Sequence, residues 1–158
     1  MERKYQTLFM SIAIEEAKKS ALRGEVPVGA VIVMDNKVIA QSGNKMEIIN
    51  NPLFHAEMIV LHEASKILNK KGMSIKHAQL DLYVTLEPCT MCAYAISLCR
   101  INNLFYGASD PKRGGINYGS KVFDQVTSHH KPKIIGGVKK NISQKLLKDF
   151  FKNIRTTI

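Results

Sequence analysis

Two short stretches of this chain bring an imidazole, two thiols and a carboxylate together: His55-Ala56-Glu57 and Pro88-Cys89-Thr90-Met91-Cys92. A catalytic zinc ion takes three protein ligands from such groups and keeps a fourth tetrahedral position for water. His55, Cys89 and Cys92 supply those three ligands. The two cysteines are three residues apart, so at the start of a helix they share a face and reach the same ion. Pro88 suits a helix start, and the partial positive charge of a helix N-terminus favours the thiolates that bind metal. Zn²⁺ with two thiolates and a neutral imidazole carries no net charge, yet it still acidifies bound water, whose proton a base must then accept. Glu57, two residues beyond His55, is the candidate catalytic base.

The elements that must hold these groups are legible in the hydrophobic spacing. Phe9, Ile12, Ala13, Ala17 and Ala21 recur at helical steps between Gln6 and Leu22, and the helix they predict stops near Gly24. Val31-Ile32-Val33-Met34, a turn at Asp35-Asn36 and Lys37-Val38-Ile39-Ala40 form a predicted β-hairpin. The polar stretch from Gly43 to Pro52 is expected to be a loop leading to His55. Met58, Ile59, Leu61, Ala64, Ile67 and Leu68 place His55 and Glu57 at the start of a helix that ends near Asn69. Leu80 to Thr85 alternates as a strand, so the cysteines open the next helix, Met91 to Leu98, before a strand at Asn103 to Gly107. Strand, helix, strand in that order favours a parallel pair with a crossover helix. Ala108 to Val126 reads as a glycine-rich surface loop, Lys133 to Gly136 as a short strand, and Asn141 to Gln144 as a capping box opening an amphipathic last helix.

Composition narrows the class. At 158 residues the chain is expected to form a single domain, residues 1–158. Apolar runs are too short to cross a membrane, and the first residues lack the pattern of a signal peptide, so a cytoplasmic protein is expected. Three cysteines, two of them in a CxxC beside an upstream histidine, favour metal or redox chemistry over disulfides. A net charge of +10 suggests a polyanionic partner such as nucleic acid, although a solubility trait gives the same number. His62, His77, His129 and His130 lie at surface or loop positions and are expected to be solvated, and Cys99 is expected to be a small buried apolar residue.

Either half of the metal pattern alone is weak. Together, each opening a helix, they match the H-x-E…P-C-x-x-C arrangement of zinc deaminases, in which activated water attacks the carbon bearing an exocyclic amine and the glutamate relays the proton. The likeness extends further. Glu25-Val26-Pro27-Val28-Gly29-Ala30-Val31, Asn44, His55-Ala56-Glu57, Leu82 through Cys92, Gly107-Ala108 with Asp110, and Asp149-Phe150-Phe151 closely resemble the bacterial tRNA adenosine deaminases. The resemblance covers nearly the whole chain. It implies an α/β fold of the cytidine deaminase type, a three-layer α/β/α sandwich around a mixed five-stranded sheet. It also implies a homodimer, one Zn²⁺ per chain, and conversion of adenosine to inosine at the wobble position of a tRNA anticodon stem-loop.

Carried over residue by residue, the resemblance makes His55, Cys89 and Cys92 the metal ligands and Glu57 the proton shuttle. Asn44 would bind the flipped base, and Val28 and Ala30 would line its pocket. Asp110 and Lys112 would contact flanking nucleotides, and Phe150, Phe151 and Arg155 would help to hold the anticodon loop. Asn44 also suits a plain turn, and helical spacing packs at least one of the two phenylalanines into the core. Leu53-Phe54 before His55 are bulkier than is usual in the family and imply a narrower pocket floor. Two rival readings are a deaminase of a free base or nucleoside and a non-catalytic RNA-binding module with structural zinc. The charge and the basic, aromatic C-terminal helix oppose the first, and the free carboxylate of Glu57 opposes the second.

Overall fold

The computed structural model describes residues 3–157. The strands dictate that helices must cover both sides of the sheet. β1 (Gly29–Met34), β3 (Asp81–Leu86) and β4 (Asn103–Ala108) are apolar on both faces, the pattern of strands covered on each side. Ala30, Ile32, Leu82, Val84, Leu104 and Tyr106 join one core with Val60, Leu61, Ala64 and Leu68 of α3 (Ala56–Lys70) and Ala93 and Ile96 of α4 (Thr90–Leu98). Val31, Val33, Tyr83 and Phe105 face the other way. They pack with Phe9, Met10, Ala13 and Ile14 of α1 (Arg3–Leu22), and Leu146 of α5 (Lys140–Thr157) rests against them. There the Tyr83 and Phe105 rings stack on adjacent strands, centroids 4.4 Å apart.

The outcome is the expected α/β/α sandwich with a mixed sheet of five strands in the order β2-β1-β3-β4-β5, where β2 is Lys37–Gly43 and β5 is Lys133–Ile135. β1 runs antiparallel to both β2 and β3, while β3, β4 and β5 are mutually parallel. The β3-α4-β4 segment is the anticipated parallel pair with its crossover helix. The β1-β2 hairpin turns at Asp35 and Asn36, whose φ values of 49° and 59° give the two-residue left-handed turn that matches strand twist. Gly29 pairs with Gly43 at the open end of the hairpin. A Cβ at Gly29 would lie 1.9 Å from the Ala13 carbonyl oxygen, and one at Gly43 1.8 Å from the Ser20 hydroxyl. Both glycines therefore let α1 lie directly on the strands beside the site.

Three local expectations are corrected. The stretch after Gly43 is not all loop: Met46–Ile49 forms one helical turn, α2. Its N-terminal amides at Glu47 and Ile48 both donate to Oε1 of the buried Glu25, at 2.9 Å each, so a remote carboxylate caps the turn. The last helix begins at Lys140, one residue before the capping box expected at Asn141. Lys139, at φ 52°, leads into it and its carbonyl accepts from the Ile142 and Ser143 amides, so Asn141 falls inside the first turn. His130 is not solvated; it is half-buried, with Nε2 2.7 Å from the Ile101 carbonyl oxygen. No described helix is long and apolar enough to cross a membrane.

Candidate active site

The site lies beyond the C-terminal end of β3, where the chain leaves the sheet and turns into α4, the position at which open α/β sheets bind ligands. His55 is the residue before α3, held in an extended conformation at φ −67° and ψ 149°. Cys89 holds the same place before α4, and Cys92 lies within that helix's first turn. Two helix starts thus converge. His55 Nδ1 is 3.8 Å from Cys89 Sγ and 3.6 Å from Cys92 Sγ. The three ligand atoms all lie within 4.8 Å of one another and could hold a metal ion.

Of the three groups, the Cys89 thiol is the one held toward its thiolate form. The Cys89 thiol is lowered to about 4, first by a hydrogen bond from Cys92 and then by His55 and the backbone N–H at the helix start, against the opposing effect of burial. Cys92, fully buried, is pushed up, chiefly because it donates to Cys89. His55 is raised, mainly by its hydrogen bond with Cys89. Glu57 stands in the first turn of α3, only 4% exposed, and burial raises its carboxyl to about 7. Its own backbone N–H at the helix start, His55 and a hydrogen bond from Cys92 pull the other way, while the Cys89 charge adds to the rise.

These groups open into a cleft of about 590 Å³, within the size range of small-molecule sites. Besides His55, Glu57 and Cys89, its lining includes Asn44 and Val28 from the hairpin side, Asp110 and Lys112 from the loop after β4, and Phe151 and Arg155 from α5. Nine expected site residues therefore meet there, with Cys92 behind them. Asn44 is fixed in orientation: its Oδ1 accepts from the Ala56 amide at 2.9 Å and its Nδ2 donates to the Val26 carbonyl at 3.2 Å. That leaves one amide hydrogen for another acceptor. One oxygen of Asp110 accepts from the Lys112 and Arg113 amides, at 3.2 and 3.0 Å, and so shapes the loop that carries them.

Two expected residues lie elsewhere. Ala30 is fully buried in the core between the sheet and α3, too deep along β1 to line the cleft. Phe150 faces a separate hollow beside Ala21 and Leu22 of α1, because successive residues on a helix point about 100° apart. Leu53 and Phe54 are absent from the lining, so they do not narrow the floor; Leu53 is 55% exposed. Sequence reasoning missed Val26, Met46, Leu86, Ser109, Arg113, Leu147 and above all Glu87, which line the cleft as well. Glu87 had a visible signal, a carboxylate directly before Pro88 at the end of an apolar strand.

The fold and the His-Cys-Cys cluster are those of a deaminase, and residues 5–155 match the MafB19-like deaminase family. A tRNA-specific adenosine deaminase from Agrobacterium fabrum is 45% identical over 95% of this chain and 96% of its own length. A solved structure from work on A-to-I editing by tRNA:A34 deaminases at the wobble position of transfer RNA shares 46% identity. It superposes with a TM-score of 0.83, covering 89% of this chain and 99% of the other. A guanine deaminase from Nitrosomonas europaea, 15% identical, shares the fold with a TM-score of 0.75, covering 91% of this chain and 83% of the other. The chain belongs to the tRNA-specific adenosine deaminases.

Proposed function

We propose that this chain deaminates adenosine to inosine at the wobble position of a tRNA anticodon stem-loop, with zinc held by His55, Cys89 and Cys92. The observation that carries the reading is the meeting of this ligand set with a buried carboxylate in a cleft rimmed by Lys112, Arg113 and Arg155. Zinc suits the spacing. Bonds of about 2.3 Å to sulfur and 2.0–2.1 Å to nitrogen, at a tetrahedral angle, set the two atoms about 3.6 Å apart; here they are 3.6 and 3.8 Å apart. Bound zinc with an open fourth position supplies activation of water at neutral pH.

The chain's own groups do the rest. Glu57 accepts the proton of the attacking water and delivers it to ring nitrogen N1 of the adenine. It then carries the second proton to the departing amine, so one water is consumed, one ammonia leaves and a C6 carbonyl remains. Asn44 donates its remaining amide hydrogen to the base, and Val26, Val28 and Leu86 present apolar walls to the ring. The base must leave its stack to enter, which an anticodon loop permits at low cost. Phe151 offers a stacking surface, and Lys112, Arg113 and Arg155 neutralise phosphates. A free base needs no such rim. We also propose a single domain acting in the cytoplasm as a homodimer; exposed Ile48, Ile49, Leu53, Tyr94 and Leu98 are apolar side chains suited to self-association.

The test is a side-by-side incubation with an anticodon stem-loop bearing a wobble adenosine and with free adenosine, cytidine, guanine and cytosine, followed by measurement of product nucleoside and ammonia. Turnover confined to the stem-loop is expected. Turnover of a free base or nucleoside alone would overturn the reading.

A further inference from the structure

Glu87 follows the last residue of β3, two residues before Cys89, and is only 2% exposed. Among the described residues no lysine, arginine or histidine forms an ion pair with it. Its partners are backbone amides of one loop. Oε2 accepts from Asp110 N–H at 3.0 Å, and Oε1 accepts from Asn117 N–H at 2.8 Å and from Ile116 N–H at 3.3 Å. Both ends of the 110–117 segment are therefore tied to a single carboxyl group. The segment is shaped to pass over it: a Cβ at Gly114 would lie 2.6 Å from the Glu87 carboxyl carbon and Oε1, and 2.5 Å from the Asp110 carbonyl oxygen. Gly115 N–H donates to the Pro88 carbonyl at 2.8 Å, laying the loop along the segment that carries Cys89.

We propose that Glu87 is a positioning residue for substrate binding: it tethers the 110–117 loop so that Lys112 and Arg113 stand at the mouth of the cleft. The assignment rests on the polynucleotide reading above, because cations at the mouth matter most for a substrate with flanking phosphates. Both carboxyl oxygens accept, so a glutamine at this position turns an NH₂ toward at least one backbone N–H in either orientation of its amide. The loop then loses an anchor while the side chains of His55, Cys89 and Cys92 keep their contacts with one another.

The experiment compares the zinc-loaded wild-type protein with Glu87→Gln in two readouts. Tryptic cleavage after Lys112 and Arg113, followed by mass spectrometry, should run about tenfold faster in the variant, the factor given by one weakened tether of about 1.4 kcal/mol. KM for the stem-loop should rise by about the same factor, with kcat reduced less than KM is raised. In a Lys112→Ala, Arg113→Ala background the cations to be positioned are gone, and the same change should alter KM by less than about twofold. Gly114→Ala disturbs the tether from the loop side and should reproduce the rise in KM even if Glu87→Gln folds poorly. An unchanged tryptic rate in Glu87→Gln overturns the tether whatever the substrate. An equal KM increase in the cation-free background overturns the positioning role. A wild-type protein inactive on the stem-loop would instead sink the functional reading, and the tryptic comparison would still decide the tether.

Discussion

Asn44→Ala should destabilise the fold as well as weaken turnover. The side chain is 4% exposed and links the hairpin exit to the start of α3. Truncation leaves the Ala56 N–H buried without its acceptor, which costs about 1–3 kcal/mol. The Val26 carbonyl suffers less, since it also accepts from the Val28 N–H at 2.8 Å; losing the second bond costs about 0.5–1.5 kcal/mol. Together these come to about 2–4 kcal/mol, and a chain of this size shifts about 2–4 °C per kcal/mol, so Tm should fall by about 4–16 °C. The weakened point is the first residue of α3, flanked by His55 and Glu57, so metal should also dissociate faster. Thermal and urea unfolding of the zinc-loaded proteins would measure the loss, and zinc release to a chelator the second effect. A Tm within about 2 °C of wild type, with KM alone raised, would refute the structural half of this account and leave Asn44 as a substrate contact only.

Gly29→Ala puts a methyl group 1.9 Å from backbone oxygen in α1. Because that neighbour cannot rotate away, a loss of about 3 kcal/mol or more is expected by denaturant unfolding, against about 1 kcal/mol for Gly24→Ala, which meets open space but strains a φ of +79°. Chelation should abolish turnover and lower Tm, with both restored by zinc; a site populated a thousandfold above its Kd contributes about 4 kcal/mol. Phe151→Ala should raise KM for the stem-loop with little change in Tm, because Phe151 is 42% exposed at the cleft. Phe150→Ala should do the reverse, as its ring lies in the hollow beside α1.

The His-Cys-Cys cluster was legible in the sequence because zinc chemistry demands particular residue types at particular spacings, and each motif opens a helix. The parallel pair was legible in the strand-helix-strand order, whereas the full sandwich was implied by the family resemblance and not by the strand patterns. What escaped depended on depth and on contacts remote in sequence. Val28 and Ala30 share a face of the hairpin, but two residues along a strand is about 7 Å, enough to carry Ala30 under α3. Phe150 and Phe151 look interchangeable until the helix is rotated into place against α1. Glu87 and Glu25 read as charges at strand ends; their amide partners lie 22 to 30 residues away, in segments whose own patterns say only loop.

The most direct test uses zinc-loaded wild-type protein and Glu57→Gln with equal metal content. Each is incubated with a stem-loop carrying one wobble adenosine, which is then digested and analysed for inosine by mass spectrometry. Wild type should convert the wobble adenosine, and the variant should be slower by about 10²–10⁴, the usual contribution of a positioned acid–base group. Near wild-type conversion by Glu57→Gln at equal zinc, or inosine formed away from the wobble position, would contradict the mechanism.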